Sequence, residues 1–272
     1  MDQHERDLEY IRKMRLMDDD FMSKVFDGSP ECTQLVLRII LQREDVHVVS
    51  VKTQYAVHSL EGHSVRLDIL AKDDHDVLFN VEIQRADRGA GQKRARYYSG
   101  LLDSMALGKG VDYNTLPDTY VIFITEHDVL NEGKALYHVE RMIDRQRSFN
   151  DGSHIIYVNG AYRDSTPIGQ LMHDFSCTNA DDMMNPLLQH RAKYFKETTE
   201  GVSSMCKMLE EMRDETAEKT AIATKLSIWA SDIQKLMLKI KISAEDAAEL
   251  LEIPDAYRET VLASLNEEAL AQ

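Results

Sequence analysis

The chain reads as an α/β protein, with a mixed central sheet flanked by helices and followed by an all-helical C-terminal extension. Three observations carry this reading. Residues 64–71 and 77–84 alternate apolar and polar side chains, the pattern of paired strands that turn one face to a core. Residues 119–125 and 154–158 are nearly continuous apolar runs, as strands covered on both faces require. Beyond Gly201 neither Gly nor Pro interrupts the chain until after Ile240, which predicts one long helix.

The elements follow in order. Residues 1–17 are charged and read as a frayed or helical leader, and residues 19–26 as a short helix. Ser29-Pro30 is a helix start, with Ser as N-cap and Pro at the first helical position, opening a helix over 32–42. Residues 46–59 predict a long strand, and Glu61-Gly62-His63 turns the chain into strand 64–71. Lys72-Asp73-Asp74-His75-Asp76 is short enough for a hairpin into strand 77–84. Residues 92–107 form a helix, with Tyr98, Leu101, Leu102 and Met105 on its buried side. Strands are expected at 119–125, 135–143 and 154–158. Helices follow at 172–175, 182–194, 201–240 and 247–251, with a last one to about 265. The division expected is a first domain over 1–196 and a helical extension over 197–272.

The chemistry concentrates on one polar stripe. Arg66 and Asp68 share a strand face, as do Glu82 and Gln84 on the next strand. For the apolar faces to coincide, paired positions must sum to an even number. A compact turn then pairs Asp68 with Glu82 and Arg66 with Gln84. Facing carboxylates repel, so a divalent cation is their natural partner. Oxygen donors of this kind suit Mg²⁺ or Mn²⁺ rather than zinc. The competing reading is a solvated outer face with Arg66 as counter-charge. The helix that follows tips the balance, because it opens on Lys93, Arg94 and Arg96 beside Tyr97. Cations next to a metal-holding carboxylate pair are what phosphodiester chemistry needs.

The blocks Arg66-Leu67-Asp68-Ile69, Asn80-Val81-Glu82-Ile83-Gln84 and Lys93-Arg94-Ala95-Arg96-Tyr97-Tyr98 resemble the PD-(D/E)XK nuclease superfamily. More narrowly, they resemble its bacterial recombination-promoting nuclease and transposase family. The similarity runs from about Asp18 to the region of Lys207. It includes Ser50-Val51-Lys52-Thr53-Gln54-Tyr55, Tyr120-Val121-Ile122-Phe123-Ile124-Thr125 and Gly169-Gln170-Leu171-Met172-His173-Asp174-Phe175. The resemblance implies a restriction-endonuclease-like core, Mg²⁺ (or Mn²⁺) as cofactor and DNA as substrate. Carried over, the first strand acid falls on Asp68, the second on Glu82, and the place of the motif Lys on Gln84. Asp19 matches the further acid contributed by the first helix, with Asp20 close behind, and the backbone carbonyl of Ile83 joins the metal ligands. Gln84 cannot supply a Lys charge, although its carboxamide can orient a water. Gln at that place is usual in the narrower family. Lys93, Arg94 and Arg96, with Tyr97, would hold the nucleic-acid phosphates.

The resulting expectation is a metal-dependent DNA endonuclease, with a place in recombination, mobile elements or defence that only the resemblance suggests. The rival is a catalytically weak DNA-associated assembly protein. A third reading is a nuclease acting on RNA, which the stripe does not exclude.

Composition bounds the rest. The net charge is −15, and residues 197–272 hold 16 Asp and Glu against 8 Lys and Arg, so −8 lies there and −7 on residues 1–196. Such a balance predicts only modest, metal-dependent affinity for DNA. The three cysteines show no CxxC spacing and point to a reducing cytosol, without a disulfide framework or structural zinc. Neither a signal peptide nor a membrane span is expected, which gives a cytoplasmic reading. His173-Asp174 sits in an apolar helical context and reads as structural. Phosphate-loop, HExxH and GxSxG patterns are absent. In the extension, Met205, Met208, Leu209, Met212, Ile222, Leu226 and Trp229 are spaced for one helical side, and a homo-oligomer or the terminal helices are expected to cover it.

Overall fold

A computed structural model describes residues 2–57, 64–85 and 87–270 of the chain. Helix α1 (Gln3–Lys13) opens on a reciprocal cap, in which Asp2 accepts from the Glu5 amide and the Glu5 carboxylate accepts from the Asp2 amide. The leader is therefore anchored and not frayed, since Ile11, Met14, Leu16 and Met17 are buried. Helices α2 (Asp19–Phe26) and α3 (Pro30–Leu41) follow. Ser29 occupies the cap position of α3, yet its hydroxyl donates to the Glu31 carboxylate at 2.9 Å and caps no amide.

Strands β1 (Val48–Val57), β2 (Val65–Asp73) and β3 (Leu78–Gln84) form the expected antiparallel meander. The turn expected at Glu61-Gly62-His63 lies outside the described residues. The β2–β3 turn closes on Asp73, whose carboxylate accepts from the amides of His75 and Val77, while Asp76 takes a left-handed φ of 64°. Helix α4 (Gln92–Ala106) then leads to β4 (Thr119–Thr125), parallel to β3. The segment expected as one strand is divided into β5 (Leu136–Val139) and β6 (Met142–Ile143). Asp144 and Arg145 both adopt positive φ, which turns β6 back onto β7 (Arg147–Ser148) in a separate hairpin. Strand β8 (Ser153–Asn159) re-enters parallel to β4, and β5 pairs antiparallel on its outer edge. The sheet order is β1-β2-β3-β4-β8-β5.

This is a mixed six-stranded sheet with flanking helices, the restriction-endonuclease-like class expected. Every residue of β4 is buried, as its unbroken apolar run requires. On one face α4 brings Ala95, Tyr98 and Leu102 against Val121, Phe123 and Tyr157. Tyr98, Phe123 and Tyr157 stack in sequence, with ring centroids 6.3 and 5.4 Å apart. Helices α2 and α3 pack against β1, and α3 in turn against α5 (Pro167–Ser176). Both faces of β2 and β3 are covered, so the polar stripe is not the solvated outer face of the competing reading.

Strict alternation also breaks in β2. Val65 and Leu67 pack into the α4-side cluster with Leu70 and Leu78, a cluster to which Ile69 does not belong. The break sits where Gln54, with a φ of 50°, stands opposite Asp68 between the pairs Thr53–Ile69 and Tyr55–Leu67. A left-handed residue in a strand twists it locally, and Asp68 lies at that twist.

Helices α6 (Pro186–Glu197), α7 (Thr199–Ile240), α8 (Ala244–Leu250) and α9 (Asp255–Leu270) complete the chain. Its contacts divide it into two compact units, Met1–Cys206 and Lys207–Gln272. The first runs past residue 196 because Gly201 and Met205 are buried. A Cβ at Gly201 would stand 2.0 Å from the Tyr194 carbonyl oxygen. In the second, Ile233, Ala247, Ala248, Ile253 and Val261 form a small core, against which Leu226 and Trp229 pack. That part of the apolar side is covered by the tail's own helices. Among the described residues no helix is long and apolar enough to cross a membrane.

Within the first unit one buried carboxylate fastens α5 to the start of α6. Asp174 is fully buried, and its oxygens accept from Met184 N at 2.7 Å, Asn185 N at 2.8 Å and Asn185 Nδ2 at 2.7 Å. Removing a buried acceptor leaves its donors unpaired, at about 1–3 kcal/mol each. Asp174→Ala should therefore lower stability by about 3 kcal/mol or more, read as a lower urea midpoint with an unchanged slope.

Candidate active site

The β2–β3 ladder ends at Ile69–Val81, and Asp68 and Glu82 occupy the next position in the same register. The expected pairing is thus continued by side chains where the backbone ladder stops. The Ile83 amide donates to Asp68 Oδ2 at 2.9 Å, and the Asp68 amide donates to Glu82 Oε1 at 3.3 Å. Each carboxylate takes an amide that a regular ladder would have given to a carbonyl. The N–H and C=O of one strand residue point to the same edge. The carbonyl of Ile83 therefore faces this gap, whereas that of Gln84 is turned toward β4 and accepts from the Glu126 amide at 3.0 Å.

Asp68 is 5% and Glu82 0% exposed. Burial, and next the Glu82 charge, push the Asp68 carboxyl up to about 8. Burial also raises Glu82, against the pull of the Arg94 guanidinium. Arg94 donates to Glu82 Oε2 at 3.2 Å and to the Tyr98 hydroxyl at 2.7 Å. Asn80, on the Glu82 face of β3 and wholly buried, lies beside the Glu82 carboxylate and also pulls it down. Two buried carboxyls with one guanidinium against them fit a divalent cation held by oxygen donors.

An open cavity of about 640 Å³ lies over Asp68, lined by Asp19, Arg66, Asp68, Gln84, Arg94 and Tyr97, among others; Glu82 does not line it. Asp19 starts α2 and stands 3.7 Å from the Arg66 guanidinium. Asp20 does not line the cavity, so the geometry brings in Asp19 of the two candidates. Of the basic helix start, Arg94 and Tyr97 reach the cavity, while Lys93 and Arg96 are exposed outside it. Arg94 is not a free phosphate ligand as the sequence suggested. It is already paired with a carboxylate of the stripe.

Residues that the sequence reading passed over hold this arrangement. Glu126 Oε1 accepts from Arg15 at 2.8 Å and Oε2 from Arg85 at 3.3 Å. Arg85 also reaches Asp18 at 2.9 Å. These four charges tie the ends of β3 and β4 to the residue just before Asp19. Arg85 is therefore committed to the scaffold. Tyr98, read as core, is both core and hydrogen-bond partner of Arg94. The only signal in the sequence was an Arg and a Glu directly after two strands.

Among the described residues, groups of three ligating side chains converge at His173–Asp174–Cys177 and at Asp73–Asp74–His75, whereas Asp19 does not close in this way on both Asp68 and Glu82. The Asp174 and Asp73 carboxylates already accept two or more donors each in structural turns. The structural reading of His173-Asp174 accounts for what is seen there.

Neutralising Asp68 tests the electrostatics directly. An acid raised in the folded state binds protons that the unfolded chain has released. Metal-free stability therefore falls as pH rises from the ordinary carboxylate range through about 8. Asp68→Asn keeps an acceptor for the Ile83 amide and removes the charge. At pH 8.5 without metal it should melt above the wild type, by about 2–4 °C per kcal/mol gained, with a clearly smaller difference at pH 5. Calorimetry at the two pH values reads this out.

A family model described as PD-(D/E)XK nuclease family transposase matches residues 27–229. No curated protein and no solved structure matches the chain.

Proposed function

This chain belongs to the PD-(D/E)XK nuclease family transposases, and on that footing we propose that it is a metal-dependent endonuclease acting on DNA. The observation that carries the proposal is the buried Asp68–Glu82 pair, placed face to face where the β2–β3 ladder stops. Nucleases of this superfamily generally use divalent metal ions, and the oxygen-only donor set favours Mg²⁺ or Mn²⁺. Asp68 and Glu82 would hold the ion, with Asp19 and the Ile83 carbonyl completing the set. The bound ion would supply Lewis-acid activation of water and charge neutralisation at the phosphate.

The chain's own residues do the remainder. The Gln84 carboxamide, at the cavity wall, accepts a hydrogen bond from the attacking water and fixes its direction. Arg94 turns from Glu82 to a phosphate oxygen once a stronger cation takes the carboxylate. Tyr97, exposed at the cavity rim, offers a ring to a sugar or base. Lys93 and Arg96 hold phosphates farther along the strand. Because the basic surface is small and the net charge is −15, binding is modest, with a salt dependence set by the few cations that meet phosphates. A role in recombination, mobile elements or defence follows the family description alone. The extension 197–272 would serve as a separate assembly domain.

Supercoiled plasmid incubated with Mg²⁺ or Mn²⁺ should be cut by the wild type. Asp68→Ala should cut about a hundredfold more slowly or worse, a loss of about 3 kcal/mol of barrier lowering. Equal cutting by the variant would sink the proposal. Metal-dependent DNA binding without cutting would favour the rival assembly protein.

The division of labour among the cations is equally testable. Arg94→Ala removes the charge that competes for Glu82, so Mn²⁺ should bind more tightly by calorimetry while DNA binds more weakly. Arg96→Ala should leave Mn²⁺ affinity alone and reduce the salt slope of DNA binding by about 1. Unchanged anisotropy titrations for both variants would make the helix start a solvated face and nothing more.

A further inference from the structure

Between β3 and α4 the chain makes a short 3-10 turn, Asp87–Ala90, seated on the core by Ala90. Gly89 of that turn lies against the side chain of Gln84. A Cβ built on Gly89 would stand 1.7 Å from Gln84 Oε1, 2.7 Å from Cδ and 3.3 Å from Cγ. No methyl group fits there while the carboxamide keeps its place. The backbone of Gly89 is not left-handed, in contrast to Gly28, Gly110, Gly133 and Gly152. An ordinary L-residue could adopt its conformation, so what glycine supplies at this position is space.

The comparison with other crowded glycines sharpens this. At Gly160 and Gly201 the added atom would strike backbone, the Thr125 carbonyl oxygen at 2.3 Å and the Tyr194 carbonyl oxygen at 2.0 Å. Backbone cannot step aside cheaply, so substitutions there test packing. At Gly89 the obstacle is the far end of one flexible side chain that lines the cavity over Asp68. Moving it costs the fold little and costs the cavity its one neutral hydrogen-bonding carboxamide.

We infer that Gly89 is a positioning residue, whose missing side chain forms the notch that seats the Gln84 carboxamide beside Asp68. The inference rests on the nuclease reading for its catalytic consequence and on geometry alone for the seating. Gln84 has no charge with which to find its place beside an anionic phosphate, so its direction has to come from contact. The turn after β3 provides that contact. It makes residue 89 a determinant of the water-orienting step without touching water, metal or substrate. Such outer-shell positioning is commonly worth about tenfold to a hundredfold.

The test uses full-length protein and three variants, Gly89→Ala, Gln84→Ala and the double substitution. In metal-free protein, ¹⁵N–¹H spectra contain a Gln84 side-chain NH₂ pair, identified by its loss in Gln84→Ala. That pair should shift in Gly89→Ala while the melting temperature stays within about 2 °C of wild type, the scale of a fraction of a kcal/mol. In plasmid cleavage, Gly89→Ala should lower kcat about tenfold, with KM for DNA and Mn²⁺ affinity within about twofold. Added to Gln84→Ala, it should have no further effect, because both act on one group. An unmoved NH₂ pair, or independent losses in the double variant, overturns the inference. So does a large loss of stability on adding Gly89→Ala to Gln84→Ala, where no carboxamide remains to collide with. Cleavage that survives Asp68→Ala would defeat the nuclease reading instead, and the NH₂ spectra would still decide the seating of Gln84.

Discussion

The site depends on a place where two strands stop hydrogen-bonding through their backbones. From Lys72–Leu78 to Ile69–Val81 the β2–β3 ladder is regular. One step further, two carboxylates replace the carbonyls as acceptors, and the strands continue with acids between them. Inside a sheet, such an opening would waste two amides unless something accepted from them. Asp68 and Glu82 do so, which explains how two like charges can be buried opposite each other. Their hydrogen bonds to the backbone fix both side chains, Asp68 at the cavity wall and Glu82 behind it against Arg94. The twist at Gln54 on the neighbouring strand brings Asp68 to this edge and lets Leu67 join the core beneath α4.

Charge organises what surrounds the pair. Arg94 lies against Glu82 from α4, and Arg66 lies near Asp19 from β2. Arg94 is a hydrogen-bonded partner of Glu82 at 3.2 Å and of the Tyr98 hydroxyl at 2.7 Å, whereas Arg66 and Asp19 are an exposed ion pair at 3.7 Å. By contrast Arg15, Arg85, Asp18 and Glu126 satisfy one another and leave no cation over. The same residue type thus has two uses within a short stretch. Arg85 fastens strand ends, and Arg94 faces the buried carboxylate pair.

Much of this was legible in the sequence, and the reasons for the misses are specific. The alternating runs gave both strands and their register, because period-two patterning with an even pairing sum leaves few choices. The continuous run at 119–125 gave the central parallel strand. The hairpin at Met142–Ser148 was hidden, since Asp144 and Arg145 are unremarkable residues whose left-handed backbones only the structure reveals. Of the two readings of the leader, frayed or helical, the helical one holds, and its burial was not legible because its charges are plain and its apolar residues are few but well placed. Arg94's pairing with Glu82 could not be read from a pattern that records residue types and not the directions of side chains. Gly89 looked like one of several loop glycines, and its contact with Gln84 spans only five positions of sequence.

The ionic cluster at the strand ends has a bearing on when the site comes into being. Arg15 meets Glu126 across 111 positions of sequence, and Asp18 meets Arg85 across 67. The stripe itself needs only residues 64–84, a local hairpin. The acid from α2 is fastened beside it by a residue that follows β4. Contacts this distant in sequence close late, after the loops between them have been ordered. A chain still emerging from the ribosome, with both strands of the stripe already made, has its carboxylate pair but lacks the clamp that sets Asp19. Docking of α2 beside the carboxylate pair is thereby delayed until β4 has been added.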